Sequence, residues 1–223
     1  MINAINNNVQ FSGFEKLDLV NQCMADHCLT GNWSLLHRYL EENRFTSQML
    51  DKAFCAVSTH SGQATDLALQ KLCEKGANPN TNNSFSLYYA CYNGWKNRIN
   101  LLLDLGADPN LSDKSLLVRV AGSPSIVKKF LELGMDPNQR GIISDCISSV
   151  GPIDPLSFAI CGYRCQPIQE ETVLESVKLL LEAGANPNRK SLGKPPIEHA
   201  KERGLQKIVD YLTNFQQKPI AAL

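Results

Sequence analysis

No stretch of 18 consecutive apolar residues occurs in this 223-residue sequence, so no segment reads as a membrane-spanning helix. The first residues, MINAINNNVQFSG, lack the basic and continuous apolar regions of a cleaved signal peptide. Charge of one sign is missing too. Twenty-two Lys and Arg balance 22 Asp and Glu, and no global field draws the protein to nucleic acid or an anionic membrane. Neither is expected as a partner, and membrane insertion is not expected. Cysteine is sparse: eight residues among 223 fall far below the density of a disulfide scaffold. Most sit among apolar neighbours, as reduced thiols do, which points to a reducing, cytoplasmic setting. Phosphate-cradling loops of the G-x-x-x-x-G-K or G-x-G-x-x-G type are absent. With 43% hydrophobic and 20% charged residues, wholesale disorder and coiled-coil composition are excluded.

What is present is a repeat. One pentapeptide occurs four times, as Gly76-Ala-Asn-Pro-Asn80, Gly106-Ala-Asp-Pro-Asn110, Gly134-Met-Asp-Pro-Asn138 and Gly184-Ala-Asn-Pro-Asn188, at intervals of 30, 28 and 50 residues. Each copy follows an amphipathic, leucine-rich run, such as Ile99 with Leu101 to Leu103 or Val177 with Leu179 to Leu181. These runs predict helices that stop at the glycine, because glycine adopts the left-handed C′ conformation and the proline three residues on prevents continuation. A shorter helix precedes each one: Ser86-Leu87-Tyr88-Tyr89-Ala90 before Gly94, Asp154-Pro155-Leu156-Ser157-Phe158-Ala159, and Pro195-Pro196-Ile197-Glu198-His199-Ala200 before Gly204. The 19 asparagines read as turn formers.

This combination resembles the ankyrin repeats, with their T-P-L-H-x-A opening, leucine-rich second helix and G-A-D-x-N close. The resemblance covers residues 15–217 and implies an all-α ankyrin-repeat solenoid of about six helix-turn-helix units with short hairpin-like fingers. The units are 15–45, 46–80, 81–110, 111–138, 139–188 and 189–217, preceded by a flexible segment 1–14 and followed by a tail 218–223. Intervals of 30 and 28 imply shortened fingers, and the interval of 50 implies insertions at Gln139–Ile153 and Cys161–Thr172, with Pro167 as the first residue of a lengthened helix. Insertions map to surface loops, the usual seat of function.

Candidate chemistry was weighed residue by residue. Cys23, His27 and Cys28 offer zinc donors, but no fourth local ligand follows, and no metal or cofactor is expected. Cys161 or Cys165 could meet His199 as a nucleophile and base on neighbouring units, although neither carries a nucleophile signature. His199 falls on the family's variable position and is expected to be exposed or groove-facing. Glu41/Glu42 and Glu170/Glu171 diverge on a helix and read as solvated charge.

Residues 1–50 carry a net charge of −2 and residues 189–223 a net +4, which could steer an acidic partner to the last finger. Aromatic residues are the better anchors, since interfaces enrich Tyr and Trp. Tyr89 sits on the variable position, Tyr92 and Trp95 flank Gly94, Tyr88 in the histidine slot reads as structural, and Trp33 as packed inside its unit. The expected partner-binding set is Tyr89, Tyr92, Trp95, Arg140, Tyr163, Arg164, Arg189, Lys190 and Lys194. The resemblance implies a non-enzymatic, monomeric module that binds another protein through a concave groove and its fingers. Its asparagine-rich, irregular style is similar to ankyrin-repeat effectors that intracellular bacteria place in host cells. The alternative is an enzyme-like effector using Cys161 or Cys165 with His199.

Overall fold

A computed structural model describes residues 45–113, 115–142, 151–162 and 169–217, which form helices, turns and two isolated β-bridges. The chain divides into two compact units, residues 1–111 and 112–223. In the first unit, α1 (Ser47–Ser58) pairs with α2 (Gln63–Glu74), and α3 (Thr81–Tyr92) pairs with α4 (Lys96–Asp104) and packs on α1. A 3-10 turn, Pro109–Leu111, closes the unit against α3. In the second unit α5 (Leu116–Val120) pairs with α6 (Pro124–Glu132), α7 (Pro155–Cys161) with α8 (Glu170–Glu182), and α9 (Pro196–Glu202) with α10 (Gln206–Gln217). The first helices α5, α7 and α9 pack successively on one another, as do the second helices α6, α8 and α10. This two-layer stack buries what a single pair cannot. Phe54, Leu69, Leu72, Leu87 and Leu102 fill the first core, and Leu116, Leu117, Phe130, Phe158 and Leu180 the second.

The pentapeptide does more than stop a helix. At Gly76, Gly106, Gly134 and Gly184 φ lies between 83° and 102°, and the next residue donates its N–H back to the helix: Ala77 to Leu72 O, Ala107 to Leu102 O, Met135 to Phe130 O and Ala185 to Leu180 O. That is the Schellman closure, with the buried apolar residue after glycine sealing it. The third residue, Asn78, Asp108, Asp136 or Asn186, accepts the N–H two positions on at 2.8–2.9 Å in an Asx turn. The final asparagine of two copies, Asn80 and Asn138, reaches the next pentapeptide. Asn80 Nδ2 donates to Gly106 O at 3.0 Å while its Oδ1 accepts from Asp108 N at 2.7 Å. Asn138 does the same with Gly184 O and Asn186 N, both at 2.9 Å. Asp51 supplies the acceptor for Asn78 N at 2.7 Å, and Gln216 occupies Asn188 Oδ1 at 2.9 Å. The asparagines therefore carry hydrogen bonds between fingers as well as within turns.

The shortened finger after Asn80 closes through three consecutive left-handed residues, Asn82, Asn83 and Ser84, with φ of 51°, 57° and 56°. Asparagine tolerates this region better than most residues. Ser84, which does not, is buried with its hydroxyl 2.8 Å from both Asn80 Oδ1 and Asp108 O. In the second unit, Gly141 pairs with Ile153 through two 3.0 Å backbone hydrogen bonds. A Cβ there would lie 2.6 Å from Ser115 Cα, so the close approach of this finger to α5 requires glycine. Asp154 caps α7, accepting from Ser157 N at 2.8 Å and from the hydroxyls of Ser157 and Ser191.

The helix after the second insertion begins at Glu170 behind Gln169; Pro167 lies outside the described residues. Glu170 and Glu171 are not merely solvated. Glu170 Oε1 accepts the backbone N–H of Lys207 at 2.8 Å, and Glu171 pairs with the Lys207 ammonium. These contacts tie α8 to the exposed start of α10, where a carboxylate matches the partial positive charge of the helix N-terminus.

Candidate functional site

The residues marked as partner-binding fall into two groups, one in each unit. In the first unit α3 carries two aromatic rows at helical i, i+4 spacing. Phe85 and Tyr89 have ring centroids 5.9 Å apart, and Tyr88 and Tyr92 have theirs 6.3 Å apart. Tyr89 also meets the edge of Trp95 at 5.7 Å. Phe85, Tyr88 and Tyr89 are half-buried, and Tyr92 is 45% exposed. No Asp, Glu, Lys, Arg or His occurs between residues 76 and 95, so α3 itself carries no charged side chain. Phe85 and Tyr88 are additions to the expected set; the i, i+4 relation of Phe85 to Tyr89 was the available signal.

Trp95 has a supporting role. Its ring lies 5.1 Å from the guanidinium carbon of Arg98, and Arg98 is only 3% exposed. That guanidinium forms an ion pair with Asp66 through Nε. It also donates to His60 O at 2.5 Å, Gly62 O at 3.2 Å and Ser58 O at 3.3 Å. One cation thereby fastens α4 to the α1–α2 connection by gathering three of its backbone carbonyls.

In the second unit, Arg140 and Arg189 latch two fingers to each other. Arg140 Nη2 donates to Lys190 O, and Arg189 Nη1 donates to Asn138 O at 2.7 Å. Lys190 is exposed, and Lys194 pairs with Glu202. Ser191 to Lys194 form a tight hairpin with Leu192 at φ 55° and Gly193 at φ 82°, the positive pair a type I′ turn needs. Tyr163, Arg164 and Cys165 lie outside the described residues.

His199 is not groove-facing in the expected sense. It is 7% exposed, and its Nε2 donates to Ser191 O at 2.8 Å, because the hairpin folds back over α9. Cys161 and His199 line the same cleft, but that imidazole nitrogen is held by a backbone carbonyl. Among the described residues no group of three His, Cys, Asp or Glu is placed to hold a metal, and no helix is long and apolar enough to cross a membrane.

Two thiols of the first unit, Cys55 and Cys73, are held in their protonated form. Burial pushes Cys55 up, reinforced by Asp51 and opposed by hydrogen bonding from Asn82, and burial with Asp51 pushes Cys73 up to about 11. At pH 8 roughly one Cys73 in a thousand is thiolate. Peptide mapping after iodoacetamide treatment of the folded protein at pH 8 should leave Cys73 largely unmodified, with labelling rising steeply toward pH 11. Full labelling at pH 8 would contradict the assigned environment.

No protein-family model and no curated protein matches the chain. Solved structures do. An ankyrin repeat domain from Acinetobacter baumannii AYE is 21% identical and superposes with a TM-score of 0.58, covering 89% of this chain and 98% of that one. The fold is the ankyrin-repeat fold. The ankyrin repeat protein EF0377 gives a TM-score of 0.59 at 20% identity, covering 85% of this chain and 96% of that one. In ankyrin terms, Asp154 and Ser157 occupy the Thr and His slots of the T-P-L-H opening, and the Asp154–Ser157 hydrogen bonds start the helix there.

Proposed function

We propose that the chain is a non-enzymatic, monomeric protein-binding module whose first unit grips a partner through the aromatic face of α3. The observation that carries this reading is the clustering of three tyrosines, Tyr88, Tyr89 and Tyr92, with Phe85 and Trp95 on a stretch without charged residues. Tyrosine adds large contact area with few rotatable bonds and ends in a hydrogen-bonding hydroxyl, which is why it concentrates at binding hot spots. The repeat framework holds that face rigid, so little conformational entropy is lost on association. His199, held by Ser191 O, serves the fold of the last finger and not a catalytic thiol. The asparagine-rich, unevenly spaced repeats favour an effector acting in a host cell; entry of a reporter fusion into infected cells tests that extension.

Replacing Tyr88, Tyr89 and Tyr92 together with alanine should weaken capture of the partner by at least about tenfold, since truncating even one hot-spot residue costs ~2 kcal/mol or more. Binding through the α3 face should change little between 50 and 300 mM salt, the range over which charge-driven association collapses. Quantitative pull-down with a folded triple variant, checked by circular dichroism, reads both. Undiminished capture by that variant would overturn the reading.

A further inference from the structure

The two latched fingers of the second unit hold positive charge that no carboxylate cancels among the described residues. Arg140 and Arg189 each donate through one nitrogen to neutral carbonyl acceptors, Lys190 O and Asn138 O. The remaining N–H groups of each guanidinium fork stay available for a planar carboxylate. Lys190 projects from the same finger and is exposed. Among the described residues the nearby acids form no ion pair with these cations: Asp136 accepts Asn138 N at 2.8 Å, and Asp154 is buried between Ser157 and Ser191. Beside Ser191 opens a cleft of about 430 Å³, whose walls include Leu192, Lys194, Glu202 and Arg203. Its rim is stiff. Leu192 stands at φ 55°, an unusual conformation for a leucine, held because Ser191 and Lys194 exchange backbone hydrogen bonds and His199 donates to Ser191 O.

We propose that these fingers and this cleft form an electrostatic docking site for an acidic protein segment, an extended run of Asp and Glu with interspersed apolar residues. Its carboxylates meet Arg140, Arg189 and Lys190, and one apolar side chain enters the cleft beside Leu192. A peptide fits better than nucleic acid, because the chain carries no net charge and three finger cations make too short a basic track for a backbone charged at every step. The proposal rests on the reading of the chain as a binding module but uses a surface independent of the tyrosine face.

Fluorescence anisotropy with the full chain and a fluorescein-labelled peptide, Glu-Asp-Leu-Glu-Asp-Leu-Glu-Asp, tests it. The peptide should bind at 50 mM salt and lose at least about fivefold in affinity at 300 mM. Lys190→Glu reverses a charge whose exposed side chain bonds to none of the described residues, and it should weaken binding about tenfold with an unchanged melting curve. The triple tyrosine variant should bind this peptide as the unmodified chain does, so the two surfaces fail or stand separately. Equal binding of a Gln-Asn-Leu analogue would overturn the proposal. So would indifference to Lys190→Glu, or competition by an oligothymidylate of matched charge as effective as that of the unlabelled acidic peptide.

Discussion

Replacing Arg98 with methionine should lower the melting temperature of the first unit by more than about 10 °C, the largest single-residue effect expected in this protein. Both tryptophans, Trp33 and Trp95, belong to residues 1–111, so tryptophan fluorescence reads that unit. Methionine matches the aliphatic stem of Arg98 but abandons Asp66 and the carbonyls of Ser58, His60 and Gly62. Breaking a buried ion pair from one side costs about 3–5 kcal/mol. Asp66 is partly solvated, with 30% of its side chain exposed, which places the expectation near the lower figure. Lysine at 98 keeps the charge but lacks the fork that reaches several acceptors at once, so it should rescue only part of the loss. A methionine variant melting within 2 °C of the unmodified chain would show that the α1–α2 connection is held by other means.

In the second unit the corresponding residue is Asp154. Asp154→Ala removes the cap of α7 and leaves the buried hydroxyls of Ser157 and Ser191 without their shared acceptor. A lost cap costs about 1 kcal/mol, and orphaned buried groups add about 1–3 kcal/mol. Because Ser191 also anchors the last hairpin, amide exchange at Ser191–Lys194 should accelerate together with exchange in α7. Hydrogen exchange with mass spectrometry separates this from a simple capping loss, in which α7 alone would loosen. Unchanged protection in both segments would remove Asp154 from its assigned role.

The helices were readable because their determinants are local. Leu72, Gly76 and Ala77 lie within six residues, and together they specify an amphipathic helix, its left-handed stop and the apolar seal behind it. What could not be read depends on partners far along the chain. Asn80 and Asn138 look like turn formers, yet their side chains meet residues 26 to 48 positions away. Arg98 looks like a surface cation on a short helix until carbonyls 36 to 40 residues earlier converge on it. His199 sits on a position the ankyrin pattern leaves variable, and only the return of the Ser191–Lys194 hairpin buries it.

The candidate surface divides along the same line. Tyr89 and Tyr92 follow from helical spacing, and the structure adds Phe85 and Tyr88 to their face. Arg140 and Arg189 were legible as charge but not as latches, because their carbonyl acceptors lie on another finger, 50 and 51 residues distant. Lys190 is exposed on the same finger as Arg189.

The central claim is that the α3 face is where the first unit meets another protein. Site-specific photocrosslinking tests it directly, with benzoylphenylalanine placed at Tyr92 in one sample and at the exposed Lys128 on α6 in another. A discrete protein adduct from position 92, absent from position 128 and lost when Tyr88 and Tyr89 are alanine, is the result this account predicts. Equal adducts from both positions, or an adduct from 92 that survives loss of its two neighbours, would contradict it.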